Sequence, residues 1–114
     1  MLEITLTKNK SYTLIWLNGE VDASNSVELD QAIQEILGEG TKNILVDGST
    51  LEYISSAGLG VFMSYLEDFQ DNGVTFIIFG LNDKVQNVFH ILGLDQLITI
   101  EKDQHEALAR IYDA

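Results

Sequence analysis

The sequence contains no cysteine, so disulfides and thiolate metal sites are excluded. It contains no proline either, which leaves glycine, asparagine and aspartate to punctuate the chain. Basic residues are scarce: six Lys and Arg stand against eighteen Asp and Glu, for a formal net charge of −12. A surface this acidic repels nucleic-acid phosphates and anionic membranes, so neither is an expected partner. No apolar run approaches the roughly 18 residues of a membrane span. The first residues, Met1-Leu2-Glu3-Ile4-Thr5-Leu6, lack the basic start and apolar block of a signal peptide. A cytoplasmic location is the expectation. What remains is 114 residues, 46% of them hydrophobic, enough for one domain (1–114) folded by packing alone.

Residues 2–7 alternate apolar and polar, the period of a half-buried strand. A polar turn, Lys8 to Ser11, leads to a second strand from Tyr12 to Leu17, broken by Asn18-Gly19, so the two form a hairpin. Beyond Asp22 the period becomes helical, with Leu29, Ala32, Ile33, Ile36 and Leu37 on one face. Asn25 and Glu28 have the spacing of a capping box, and Gly38 and Gly40 end the helix. Ile44-Leu45-Val46 and Val74 to Phe79 are continuous apolar runs, the pattern of strands buried on both faces. Between them lie a loop, Gly48 to Ser55, and a helix over 56–71 with Val61, Phe62, Tyr65, Leu66 and Phe69 inward. Asp83 caps a third helix, with Val85, Val88, Phe89 and Leu92 inward. A short strand over 97–100 and a helix from Asp103, with Ala107, Leu108 and Ile111 inward, complete the chain. The order β-β-α-β-α-β-α-β-α predicts an α/β domain. Its mixed sheet has an initial hairpin and a mainly parallel centre, covered by about four helices.

Chemistry concentrates in Asp47 to Gly60, which follows a buried strand and opens a helix. Functional loops of α/β sheets gather at such strand ends. Ser56 stands where a helix N-cap is expected. A phosphate there meets free N–H groups and the positive end of the helix dipole, and adds about −1.5 to −2 of charge to a partner-facing surface. The bland alternative is that Ser55 and Ser56 only cap a helix. Gly58 and Gly60 lie in the opening turn, where each costs up to about 1 kcal/mol relative to alanine. Either tight packing on the sheet or close approach by another protein would offset that cost.

Other chemistry finds little support. His90 and His105 have no companions at metal-ligand spacing. Ser56 has Ile54 two residues before it, so a G-x-S-x-G nucleophile elbow is half missing. No glycine-rich phosphate loop occurs, and neither a metal nor a cofactor is expected. Trp16 and Tyr12 are explained by packing, whereas Tyr53 either rests over the helix start or meets a partner.

The segment Leu51-x-Tyr53-Ile54-Ser55-Ser56-Ala57-Gly58-Leu59-Gly60-Val61-Phe62 resembles the signature of STAS domains, specifically the bacterial anti-sigma-factor antagonists. Gly19-Glu20-Val21-Asp22 and Val85-x-x-Val88-Phe89-x-x-Leu92-Gly93-Leu94 resemble two further elements of that family. The resemblance runs in order over residues 2–112. It implies partner switching: the unphosphorylated form binds a serine kinase that otherwise holds a sigma factor, phosphorylation by that kinase releases it, and a metal-dependent serine phosphatase resets it. Carried over, the phosphorylated residue falls on Ser56, with Ser55 as the fallback. The docking surface takes in Asp22, Tyr53, Ser55, Ser56, Ala57, Gly58, Leu59 and Gly60. Many members have Asp at the position of Ser55 and a second Ser or Thr at that of Ala57; the latter hydroxyl is the modified one in some. A rival reading is a constitutive STAS scaffold or transporter-associated subunit in which Ser56 is a plain cap. An enzyme is the remaining, less supported class.

Overall fold

In the computed structural model, which describes residues 1–112, five strands and four α-helices alternate as the hydrophobic periods require. Strands β1 (Leu2–Lys8) and β2 (Thr13–Val21) form an antiparallel hairpin, and helix α1 (Ser26–Gly38) follows. Then come β3 (Asn43–Ile54), α2 (Ser56–Asp71), β4 (Thr75–Phe79), α3 (Asp83–Ile91), a 3-10 turn (Leu94–Gln96), β5 (Thr99–Glu101) and α4 (Gln104–Tyr112). The sheet order is β1-β2-β3-β4-β5, parallel from β2 onward.

The continuous apolar runs of β3 and β4 are sandwiched, as their lack of alternation requires. Ile44, Val46, Phe76 and Ile78 face the larger core under α1, α2 and α3, with Leu29, Ile33, Phe62, Phe69 and Phe89 from the helices. Leu45, Ile77 and Phe79 face the opposite side, where α4 contributes Ala107, Leu108 and Ile111. In the larger core Phe69 stacks on Phe76 with ring centroids 4.8 Å apart, and Phe62 tilts against the same ring at 5.6 Å. The helices therefore cover both faces of the sheet.

Several local expectations are corrected. Asn18-Gly19 does not break β2: the strand runs through it to Val21, with register shifts near Trp16/Asn18 and Gly19/Glu20. Gly19 adopts φ +108, and a Cβ there would stand 2.2 Å from the Met1 carbonyl oxygen, so only glycine lets β1 approach. Because β2 is long, its partner is long: Gly48–Ile54, expected as a loop, is the second half of β3, paired through Asn18↔Thr50 to Val21↔Ile54. Pairing on a neighbour has overridden local turn propensity.

The caps also shift. Asn82, not Asp83, caps α3, its Oδ1 accepting from Val85 N–H at 2.8 Å. The capping box at Asn25 and Glu28 does not form, since the Asn25 side chain is used elsewhere. Leu92 is 57% exposed rather than inward, because α3 ends at Ile91. The last strand spans Thr99–Glu101, two residues beyond the expected start at Leu97, whose side chain is exposed.

Candidate functional site

Strands β2 and β3 run parallel and end together. Val21 is paired with Ile54, and Ser55 N–H donates to the Val21 carbonyl at 2.8 Å. One residue beyond that bond on each strand the chain turns: Asp22 leads into α1 and Ser55-Ser56 into α2. Asp22 and the serine pair are thus brought side by side by the sheet itself.

Each turn is held by side chains. Asn25, only 6% exposed, accepts from Asp22 N–H at 2.9 Å through Oδ1 and donates through Nδ2 to the Glu20 carbonyl at 3.0 Å. With both ends of its amide hydrogen-bonded to the end of β2, it makes no cap bond to α1. The Asp22 carboxylate accepts from the Ser24 hydroxyl at 2.6 Å and from Ser24 N–H at 2.9 Å. These bonds, the hydroxyl first, hold the Asp22 carboxyl below the usual carboxylate range. Asp22 therefore offers a fixed negative charge at the mouth of the site.

The serine pair divides its labour. Ser55, with φ −86 and ψ 172, is the N-cap of α2. Its Oγ accepts from Gly58 N–H at 3.4 Å, and it is half-buried. Ser56, expected at the cap, is instead the first helical residue and is exposed. The first intrahelical bond runs from Leu59 N–H to the Ser55 carbonyl at 3.0 Å. The N–H groups of Ser56 and Ala57 precede it and, as at any helix start, have no intrahelical partner.

Gly58 and Leu59 are buried against the sheet, Ala57 is half-buried and Gly60 is exposed. A Cβ on Gly58 would lie 2.6 Å from Val21 Cγ1 and 2.8 Å from Ile54 Cγ1. Of the two offsets weighed for the helix glycines, tight packing on the sheet accounts for this one. Tyr53, the last but one residue of β3, is 43% exposed at the same rim. Among the described residues neither histidine adjoins this rim. His90 bonds Asp95 through Nδ1 at 2.8 Å on α3, and His105 is exposed on α4 across the sheet.

This arrangement, two parallel strand ends opening into paired helices with an exposed serine at the second, carries a family signature. The model of the STAS domain matches residues 3–107. The chain belongs to the STAS domain family. An anti-sigma-B factor antagonist of Staphylococcus aureus is 30% identical over 98 residues, covering 86% of this chain and 90% of its own. The structure of an anti-sigma factor antagonist from Mycobacterium paratuberculosis superposes with TM-score 0.90 at 19% identity, over 99% of this chain and 96% of that one. The anti-sigma factor antagonist SpoIIAA, in its unphosphorylated form, gives TM-score 0.82 at 18% identity over 98% of both chains. The Bacillus cell fate determinant SpoIIAA in its phosphorylated form gives 0.73 at 19% identity, over 96% and 99%. This STAS domain shares their five-strand mixed sheet and four helices, and the Staphylococcus aureus relative is an anti-sigma-B factor antagonist. Among the described residues, none of its helices is long and apolar enough to cross a membrane.

Sequence reasoning overlooked one contributor. Asn25 read as a cap, although a buried asparagine between a strand end and a helix is equally a turn clamp.

Proposed function

We propose that this STAS domain is an anti-sigma-factor antagonist that works by partner switching through Ser56. Unphosphorylated, it docks on a serine-kinase anti-sigma factor and frees the sigma factor. Phosphorylated on Ser56, it leaves, and a metal-dependent serine phosphatase restores it.

The observation that carries this reading is the exposed Ser56 hydroxyl at the first residue of α2, beside the fixed Asp22 charge. Ser55 is the weaker acceptor because its Oγ is engaged as the cap and is half-buried. A phosphate on Ser56 is tolerated locally, since the free N–H groups and the helix dipole favour an anion there. To a docked partner the same dianion, added next to Asp22, brings repulsion and desolvation cost. Local tolerance combined with rejection at the interface is what a release switch requires. Anti-sigma factor antagonists among the relatives, one solved in both unphosphorylated and phosphorylated forms, support the same reading.

The test is incubation with ATP and the serine-kinase anti-sigma factors of the source genome, each purified singly, followed by peptide mapping. One phosphate on the peptide carrying Ser56, lost in Ser56→Ala, is the expected result. A phosphate retained in Ser56→Ala would move the acceptor to Ser55, and no modification by any of these kinases would contradict the switch.

A further inference from the structure

We infer that the domain carries a second docking groove, remote from Ser56, between the last two turns of α2 and the start of β4 and β5, and that it takes the apolar side of a cationic amphipathic helix from another protein. The inference goes beyond the partner-switching reading and does not depend on it.

Helix α1 lies over β1 and β2, and α2 over β3 and β4. Helix α3 has only nine residues and packs on β3 and the 3-10 turn. The flank of α2 that looks toward β5 therefore borders a gap where β4 and β5 begin. A groove of about 560 Å³ opens there, within the usual range of ligand sites. Buried Phe69, Phe76 and Ile98 line its floor, and the less buried Leu66, Val74 and Leu97 its sides.

Leu97 is 63% exposed. The turn before it holds it so: Leu97 N–H and Ile98 N–H both donate to the Leu94 carbonyl, at 3.0 and 2.8 Å, and Ile98 goes into the core while Leu97 stays outside. A leucine so exposed adds little to the packing of the domain, whereas beside an apolar groove it extends the surface that a partner can cover.

Charge selects the occupant. No basic side chain lines the groove, and Glu67, which does, is exposed and without a salt bridge among the described residues. Lys42, near the end of α2, is held on the Asn72 carbonyl at 2.9 Å. At a net charge of −12 a second copy and an anionic lipid surface are both repelled, while an apolar face edged by Lys and Arg is attracted. An amphipathic helix presents such a face with anchors at i, i+3 and i+4. Leu66 and Phe69 lie about 15 and 20 Å along the axis of α2 from Ser56. That is about two Debye lengths at physiological salt, so the groove is open to its partner whether or not Ser56 is phosphorylated.

The probe is a fluorescein-labelled amphipathic peptide of Leu and Lys, with a peptide of equal charge carrying Ser in place of Leu as control, each titrated with the full chain by fluorescence anisotropy. Saturable binding of the first peptide alone is expected. Leu97→Asp should weaken it about tenfold although it adds a negative charge, whereas Val27→Asp, which adds the same charge at an exposed site on α1, should leave it within about twofold. Ser56→Glu should also leave it within about twofold. All three sites are exposed, and melting temperatures within about 3 °C of the parent's would show the fold intact. Equal binding of both peptides, or a Leu97→Asp chain that binds as Val27→Asp does, would mean attraction by charge alone and overturn the groove. Absence of saturable binding would overturn the occupant, and a loss in Ser56→Glu equal to that in Leu97→Asp would overturn the separation of the two surfaces. A dimer of the chain in sedimentation, dissolved by Leu97→Asp, would overturn the proposal in favour of a second copy. None of these results bears on phosphorylation of Ser56.

Discussion

Alanine at position 58 would bring a methyl group to 2.6 Å from Val21 Cγ1 and 2.8 Å from Ile54 Cγ1. Ordinary contact between such atoms is about 3.5–4.0 Å, so roughly 1 Å must be recovered. Both neighbours are buried β-branched residues with stiff χ1, and they cannot swing aside. The start of α2 must lift instead. Overpacking of this kind costs about 1–3 kcal/mol, against a helix-propensity gain of up to about 1 kcal/mol. The net expectation is a loss of about 1–2 kcal/mol, or about 4–8 °C in melting temperature. Urea unfolding followed through the single Trp16 measures it. Val21→Ala removes the closest atom, so Val21→Ala with Gly58→Ala should be less destabilised than the two single losses added, by about 1 kcal/mol. Additive losses, or a Gly58→Ala variant more stable than the parent, would refute the packing account.

Further predictions follow the same geometry. Asn25→Ala leaves the Asp22 N–H and the Glu20 carbonyl without their partner, which should cost about 1–3 kcal/mol in urea unfolding and weaken kinase binding through the loosened turn. The Tyr65 hydroxyl bonds the Asp30 carboxylate between α2 and α1, and burial, then that carboxylate, pushes its pKa up to about 12. The folded chain thus keeps a proton that the unfolded chain loses from about pH 10. Stability should be full below pH 10 and fall between pH 10 and 12 by up to about 1.4 kcal/mol per pH unit. Alkaline urea titrations in which Tyr65→Phe shows the same slope as the parent would contradict this.

What the sequence makes legible is what periodicity encodes. The helical spacing of Leu29, Ile33 and Ile36 and the unbroken Ile44-Leu45-Val46 run specify which faces meet, and those faces form the two cores. Asn18-Gly19 and Gly48-Ser49-Thr50 look like punctuation in isolation, yet both lie within paired strands. Their fate depends on each other across the sheet, which no local window contains. The choice between Ser55 and Ser56 was illegible for a different reason. Two adjacent serines are equally good caps, and only the extended backbone of Ser55 decides which one caps and which one faces outward. Asn25 was similarly ambiguous, since its amide can cap forward or clamp backward. That a helix opens at the serine pair after a buried strand is legible, because the apolar run of Ile44-Leu45-Val46 and the helical spacing of Phe62, Tyr65 and Phe69 bracket it.

The central claim is that one dianion on Ser56 leaves the domain folded and spoils its docking face. The most direct measurement compares the purified Ser56-phosphorylated and unphosphorylated chains, both for melting temperature and for calorimetric affinity to the kinase. The account predicts melting temperatures within about 3 °C of each other and an affinity at least tenfold lower for the phosphorylated chain, a difference of about 1.4 kcal/mol or more. Equal affinities, or a phosphorylated chain that no longer folds, would contradict it.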